Sequence, residues 1–435
     1  MSKLTDLMGG AIGYFWTALD DFDALDRARP GHVRLSDDGD LLLDLLAPHE
    51  APSSEDPLPS SLVATTSVGG ALFVDVHQGR LAAPHGGYRV STRTYRAHGV
   101  VVGAPLRNLR SDGFLDVSAY FPGMASWAGV AGSSTSPSTD EHGRLKSLAI
   151  TVQAAESRSE NLSRGRRLEL STHWQVDGPE DRRIIYTPVE FKISATRPAK
   201  WTELVPPLQS IQGLLSLAYE GLVVADGGRV TMDTDQPPME SPTWWTARLM
   251  RRPEGAQAPR SMTEIPSFDL GTIGGIAGLR RWIELTDKHP RATGPLVARH
   301  RYGLHNVETR LMEVAAAIEY WVSAHRRSAQ WARRSLGKGS FAANLAARVG
   351  TPFADLVGDP MAWARRFWST NNLLKHEPNS EYDAYEVSVL ADTGAVLLQS
   401  ALLNRVARTT NPAQVVCGSH RYDHLGRQVR GLLGA

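Results

Sequence analysis

Cysteine is almost missing from this 435-residue sequence, where Cys417 stands alone. A lone thiol closes no intrachain disulfide and cannot supply the paired cysteines of a structural zinc site. No apolar run approaches the roughly 18 residues needed to cross a bilayer. The opening, MSKLTDLMGGAIGYFW, also lacks the basic cluster and unbroken apolar stretch of a secretory signal. The expectation is a cytoplasmic protein with no membrane partner. The glycine-rich run Gly271-Thr272-Ile273-Gly274-Gly275-Ile276 has neither the Lys-Ser/Thr of a phosphate loop nor a full dinucleotide fingerprint, which leaves a hinge. His85-Gly86-Gly87 has the form of an oxyanion loop, but no Gly-x-Ser-x-Gly elbow accompanies it. His420 and His424, with Asp423, have metal-ligand spacing, but Gly418 and Gly426 weaken any helix there. No metal and no cofactor is expected.

A one-sided charge is lacking too: 47 Lys and Arg face 46 Asp and Glu, a net +1. The balance is uneven along the chain. From Arg291 onward 18 basic residues meet 11 acidic ones, a surplus of +7, which leaves −6 for the rest. A basic C-terminal part favours a polyanionic partner as much as it does a merely solvated surface.

With 42% apolar and 21% charged residues, the composition is that of a globular protein long enough for two or three cores. Up to about residue 195 short strand-like runs alternate with turns: Leu41 to Leu45, Leu72 to Val76, Val100 to Val102, Leu148 to Val152, Leu168 to Leu170 and Val189 to Ile193. Pro48 to Ser61 and Gly132 to Gly143 read as loops. A helix is predicted after Pro206-Pro207 from the spacing of Leu208, Ile211, Leu214 and Leu215. Val223-Val224, Val230 and Trp244 to Leu249 return to strand-like text, and the stretch from Arg252 to Pro266 closes the first domain.

Beyond Leu270 the periodicity is helical. Ile276, Leu279, Trp282-Ile283 and Leu285 form one stripe that stops at Lys288-His289-Pro290. Leu304, Val307, Leu311, Val314, Ile318 and Trp321 form a longer one, with steps of three and four. Leu336 to Val349 suggests a further helix. Asp359-Pro360 opens another as cap and first residue, which Pro378 stops. A last apolar helix spans about Tyr385 to Val406, and the tail from Thr409 is weakly patterned. The expected fold class is therefore α+β in two domains, a β-rich one over 1–270 and an α-helical bundle over 271–435.

The chemistry-bearing segment is Arg365-Arg366-Phe367-Trp368-Ser369-Thr370-Asn371-Asn372-Leu373-Leu374-Lys375-His376-Glu377-Pro378. Asn372 and His376, four apart, share one helical face, and Lys375 adjoins the histidine. An imidazole can take the proton of a ribose 2′-hydroxyl, while a cation stabilises charge on the phosphoryl oxygens. Those are parts of a metal-independent ribonuclease. An Asn and a His one turn apart near a helix end serve structure more often than catalysis.

The segment resembles the signature of HEPN-domain proteins, an Arg followed by a polar residue and then a His, often Arg-Asn-x-x-x-His. Asn372 and His376 match, while Asn371 stands where the Arg is usual. Val314 to Glu319 looks like that family's first long helix. In the front half, Gly31 to Leu35 leading to Leu41 to Leu45, Tyr95 to Gly103, Trp127, Ile193 to Thr196 and Leu208 to Leu215 are similar to the N-terminal domain of ApeA-type anti-phage proteins. The order of the two parts makes the match specific. The resemblance implies an abortive-infection effector, whose front domain senses an unknown phage trigger and whose HEPN domain cleaves host RNA, with tRNA a candidate. It implies a homodimeric HEPN endoribonuclease with His376, Asn372, Asn371 and Lys375 as catalytic residues and Arg365 or Arg366 on the substrate, and products ending in 2′,3′-cyclic phosphate. The alternative is a degenerate HEPN protein that binds RNA or senses phage without cleaving.

Overall fold

The computed structural model describes residues 3–17, 24–48, 59–82, 90–105, 109, 113–130, 133–153, 155–172, 174–179, 182–232, 241–259, 266–303, 306–333, 340–377 and 381–434. A short helix, α1 (Lys3–Met8), precedes six antiparallel strands: β1 (Ala11–Trp16), β2 (Arg29–Leu35), β3 (Leu41–Pro48), β4 (Ser61–Thr66), β5 (Gly69–Ala82) and β6 (Val90–Val102). Their order is β6-β3-β2-β1-β4-β5, and β5 pairs back onto β6, closing a six-stranded barrel. Alternation fills it. Leu41, Leu43 and Leu45 point inward to Phe15, Val33, Phe73, Tyr95 and Ala97, and Leu7 of α1 joins the same core.

A second antiparallel sheet, order β10-β11-β14-β7-β15, is built from β7 (Phe114–Phe121), β10 (Arg158–Asn161), β11 (Arg166–Thr172), β14 (Val189–Ala199) and β15 (Val230–Met232). Between these lie α2 (Ala125–Ala128) and two hairpins, β8 (Ser133–Thr139) with β9 (Leu145–Val152) and β12 (Gln175–Asp177) with β13 (Ile184–Tyr186). The Gly132 to Gly143 stretch, expected as a loop, is thus largely a strand. Every side chain of β8 is exposed, so backbone pairing to β9 holds it, a force that leaves no apolar pattern in the sequence. The Pro48 to Ser61 loop falls mostly outside the described residues, as does His85-Gly86-Gly87.

The predicted helix after Pro206-Pro207 starts earlier: α3 runs Trp201–Ala218, with both prolines inside it. Pro207 has no N–H for the carbonyl of Glu203, four residues back. Arg166 supplies the missing donor, with Nη1 at 2.8 Å from that oxygen. Trp201 anchors the start. Its ring packs over Gly99 of β6, where a Cβ would lie only 2.9 Å from it, and meets Phe114 of β7 edge-on. Trp244, on the short β16 (Thr243–Trp245) that pairs with the last residues of β6 beyond the stretch covered by β3, touches the same ring at 4.8 Å between centroids. The strand-like text ends there, because Ala247–Met250 is a helical turn, α4. Thr246 donates its hydroxyl to the carbonyl of His98 at 2.6 Å and turns the chain away from the sheet.

The C-terminal region is helical, as its periodicity predicts: α5 (Gly275–Lys288), α6 (Pro290–Tyr302), α7 (Val307–His325), α8 (Ser340–Val349), α9 (Thr351–Val357), α10 (Pro360–His376) and α11 (Ala384–Ala407). Two more helices, α12 (Asn411–Cys417) and α13 (Asp423–Leu433), occupy the tail from Thr409, whose sequence is only weakly patterned. Pro412 at the start of α12 and Leu356 of α9 beside Gly426 of α13 show how short helices with few apolar residues still find a packed face. Leu304, Leu336 and Pro378 lie outside the described residues. The central helix is α11, which by length and composition is apolar enough to cross a bilayer, contrary to the expectation from the sequence, and it is mostly buried within the bundle. Apolar on all sides, it is the core rod of the bundle.

By internal packing the chain forms two compact units that interleave along the sequence. One comprises 1–122, 156–209 and 224–253, the other 123–155, 210–223 and 254–435, so the division differs from a single cut near residue 270. Within the second unit, Trp282 donates to Ser210 O at 2.8 Å and Leu270 N–H to Trp127 O at 2.9 Å, tying the earlier segments to the helices.

Gly394 of α11 faces α7 and α10 so closely that a Cβ would lie 2.6 Å from Phe367 and 3.0 Å from Val314. Helix propensity favours alanine there by about 1 kcal/mol, whereas overpacking costs about 1–3 kcal/mol. Gly394→Ala should therefore lower the denaturation midpoint, a net loss of about 1 kcal/mol. A raised midpoint in urea or thermal unfolding would contradict this packing.

Candidate functional site

Helix α10 carries the signature segment. Asp359 caps it, accepting from Met361 N–H at 2.8 Å and Ala362 N–H at 2.9 Å, and Pro360 fills the first helical position. Trp363, Ala364, Phe367, Thr370 and Asn371 form its buried side. Trp363 donates to the Thr393 hydroxyl at 2.9 Å and stacks on Phe367 at 5.0 Å, which fixes the rotation of α10 about its own axis.

That rotation sorts the expected residues. Asn372, Lys375 and His376 emerge together on the exposed side of the last turn, Asn372 about 6 Å along the axis from His376. Arg365 and Arg366 are exposed about 15 Å away, too far along the rod to join that turn within one chain. Arg366 is engaged already. Its Nε and Nη2 each lie 2.5 Å from a carboxylate oxygen of Glu386, and Thr370 donates to that carboxylate at 3.1 Å. The hydrogen bond and the charge of Glu386 hold the guanidinium even more firmly protonated than usual. Asn371 is not brought to the others. It is fully buried, and neither its amide nitrogen nor its amide oxygen meets a hydrogen-bond partner among the described residues.

A second group of chemistry-bearing residues escaped sequence reasoning. Where α7, α8 and the end of α11 converge, a cavity of about 770 Å³ is lined by Trp321, His325, Trp331, Arg348, Arg405 and Arg408. The rings form a ladder: His289 to Trp321 at 5.3 Å, Trp321 to His325 at 4.2 Å and His325 to Trp331 at 5.7 Å between centroids. His325 Nδ1–H donates to Trp321 O at 2.8 Å, which leaves Nε2 as its acceptor. Burial, then the neighbouring His325, Lys288 and Arg405, hold the pKa of His289 below its ordinary value. Aromatic faces bordered by guanidinium groups suit a stacked base with its phosphate. Trp321 was legible only as part of an apolar stripe, and His325 four residues on was the overlooked signal.

The His420/His424 pair does not form one helical face, since His420 sits in a 3₁₀ turn (His420–Tyr422) and His424 on α13. Gly271 to Gly274 form a turn before α5, pinned by Asp269 accepting from Thr272 N–H at 2.7 Å. Among the described residues, the ligand set fit for a metal is instead Asp75, His77 and His98 in the barrel wall, which the sequence reading passed over.

The ApeA N-terminal domain 1 family model matches residues 10–282, more than half of the chain. Searches of the curated proteins and of the solved structures return no match.

One buried histidine generates a measurable pH effect. His300 of α6 is 1% exposed; its Nδ1–H meets Gln257 Oε1 at 3.3 Å and its Nε2 accepts from Arg299 at 3.3 Å. Burial, reinforced by Arg299, lowers its pKa from 6.5 to about 3. The unfolded chain therefore binds the extra proton between these values. The contribution of neutral His300 is complete above pH 6.5 and is lost as pH falls toward 3, at up to about 1.4 kcal/mol per pH unit. Urea unfolding across that range should show a steeper loss in the wild type than in His300→Gln, and equal slopes would refute the assignment.

Proposed function

The chain belongs to the ApeA N-terminal domain 1 family, a family of anti-phage defence, and from that premise we propose an abortive-infection effector that cleaves RNA with the exposed end of α10. The observation that carries this reading is the joint emergence of Asn372, Lys375 and His376 on the last turn of a helix whose earlier turns are locked into the bundle by Trp363 and Phe367. A rigid, accessible turn is what general acid–base chemistry needs.

In this reading His376 accepts the 2′-hydroxyl proton, Asn372 orients it or the phosphate, and Lys375 carries charge to the phosphoryl oxygens. Attack of the 2′-oxygen on phosphorus expels the 5′-oxygen, which needs a second proton donor. One chain offers a single such set. A second copy, meeting the first around a two-fold axis at α10, supplies the other histidine and a guanidinium from Arg365, Arg366 being held by Glu386. The products then carry 2′,3′-cyclic phosphate, and no divalent ion takes part in the step. The surplus of +7 from Arg291 onward supports an RNA substrate, tRNA among the candidates; cleavage of host RNA would take place in the cytoplasm. The barrel region is left for sensing the phage trigger.

A second reading, RNA binding without cleavage, is favoured by Asn371, which occupies the usual place of the signature arginine and is buried, and by the basic aromatic cavity at Trp321 and Trp331. One comparison separates the two. His376→Ala should reduce RNA cleavage about a hundred- to ten-thousand-fold and abolish phage protection, with 2′,3′-cyclic ends disappearing from RNA of infected cells. Unchanged protection in His376→Ala, together with weakened RNA binding in Trp331→Ala, would favour the second reading.

A further inference from the structure

We propose that Asp75, His77 and His98 bind a divalent transition ion of the zinc class on the outer wall of the barrel. Phe73 and Val76 both belong to the barrel core, so the alternation of β5 resets between them at Asp75, whose left-handed φ leaves Asp75 half-buried and His77 exposed. The register of β5 on β6 pairs Val74 with Gly99 and Val76 with Ala97, which sets position 75 opposite His98. Three donors from two adjacent strands thus share one outward face.

Their geometry is that of a ligand set. His98 Nδ1 lies 2.8 Å from Asp75 Oδ2 and His77 Nε2 3.2 Å from Asp75 Oδ1, with the imidazole rings 4.7 Å apart. One ligand atom from each residue lies within 4.8 Å of the other two. An ion with bonds of about 2.0–2.2 Å needs tetrahedral donors about 3.3 Å apart, close to the spacing already present. Two imidazoles and one carboxylate select a borderline ion over magnesium or calcium, which take mostly oxygen. Three protein ligands leave one position open.

The surroundings hold the ligands in place. The carbonyl of His98 accepts the Thr246 hydroxyl at 2.6 Å, fixing the backbone of that ligand. Asp75 keeps a left-handed φ of 54° within its strand, a conformation Asp tolerates better than most residues. One group opposes an ion: Arg248 Nη2 lies 3.5 Å from His98 Nδ1, so its guanidinium must swing aside when the metal enters.

The test uses the full chain freed of any histidine tag, dialysed to equilibrium against Zn²⁺ and titrated separately with Co²⁺ to read the ligand field. The wild type should bind one ion per chain at this site and melt at a higher temperature with zinc present. Asp75→Asn and His98→Ala should lose that ion, whereas His142→Ala and His376→Ala, both exposed elsewhere, should keep it. Asp75→Gly removes the carboxylate while suiting the left-handed backbone, so its loss of zinc cannot be ascribed to misfolding. Arg248→Ala should bind more tightly than the wild type. Failure of the folded wild type to bind zinc, or an undiminished ion in the His77→Ala/His98→Ala double variant, would overturn the site and leave an Asp–His hydrogen-bond cluster. Neither outcome bears on RNA cleavage by His376.

Discussion

The close approach of α10 to α11 is the constraint on which the candidate site depends. Gly394 lets the ring of Phe367 settle where any larger residue would stand, and Thr393 beside it accepts from Trp363. These contacts leave α10 one orientation. Its exposed strip is then whatever the sequence places at Arg365, Asn372, Lys375 and His376, and its buried strip includes Asn371. The chemistry available at the last turn follows from aromatic packing two turns away.

The barrel obeys a different constraint. A closed sheet pairs its strands all the way round, so its inward side chains fill one core while parts of its outer wall, such as Val63, Leu72 and Val101, are buried as well. Asp75, His77 and His98 converge where the alternation of β5 resets, at the left-handed Asp75, with no loop built for the purpose. Outside the barrel, Trp201 bridges three elements of the same unit by lying over Gly99 and against Phe114 and Trp244. The two features explain each other: close cover on one part of the wall leaves another part to water and to polar side chains.

Much of this was legible in the sequence where a periodic apolar pattern meets a cap. Asp359-Pro360 marked the start of α10, the Lys288-His289-Pro290 stop lies where α5 ends, and the run of apolar residues at Tyr385 to Val406 is α11. Legibility failed where tertiary contacts replace local signals. Pro206 and Pro207 argue against a helix until Arg166 serves the carbonyl of Glu203. The β8 strand is held by pairing alone, and α12 and α13 by docking of short, sparsely apolar turns. The site divides in the same way. Spacing grouped Asn372 with His376, but it could not reveal that Asn371 turns into the core or that Glu386, twenty residues on, occupies Arg366.

The interleaving of the two units has a consequence for synthesis. All six barrel strands lie within the first 102 residues, so the barrel can close while the rest of the chain is still being made. The helical unit cannot. Segments 123–155 and 210–223 wait for partners such as Leu270 and Trp282, and the bundle lacks its central rod until residues 384–407 have left the ribosome. A nascent chain therefore carries a finished barrel long before it carries a complete helical unit, and the segment bearing His376 gains its fixed orientation only after α11 has followed it out.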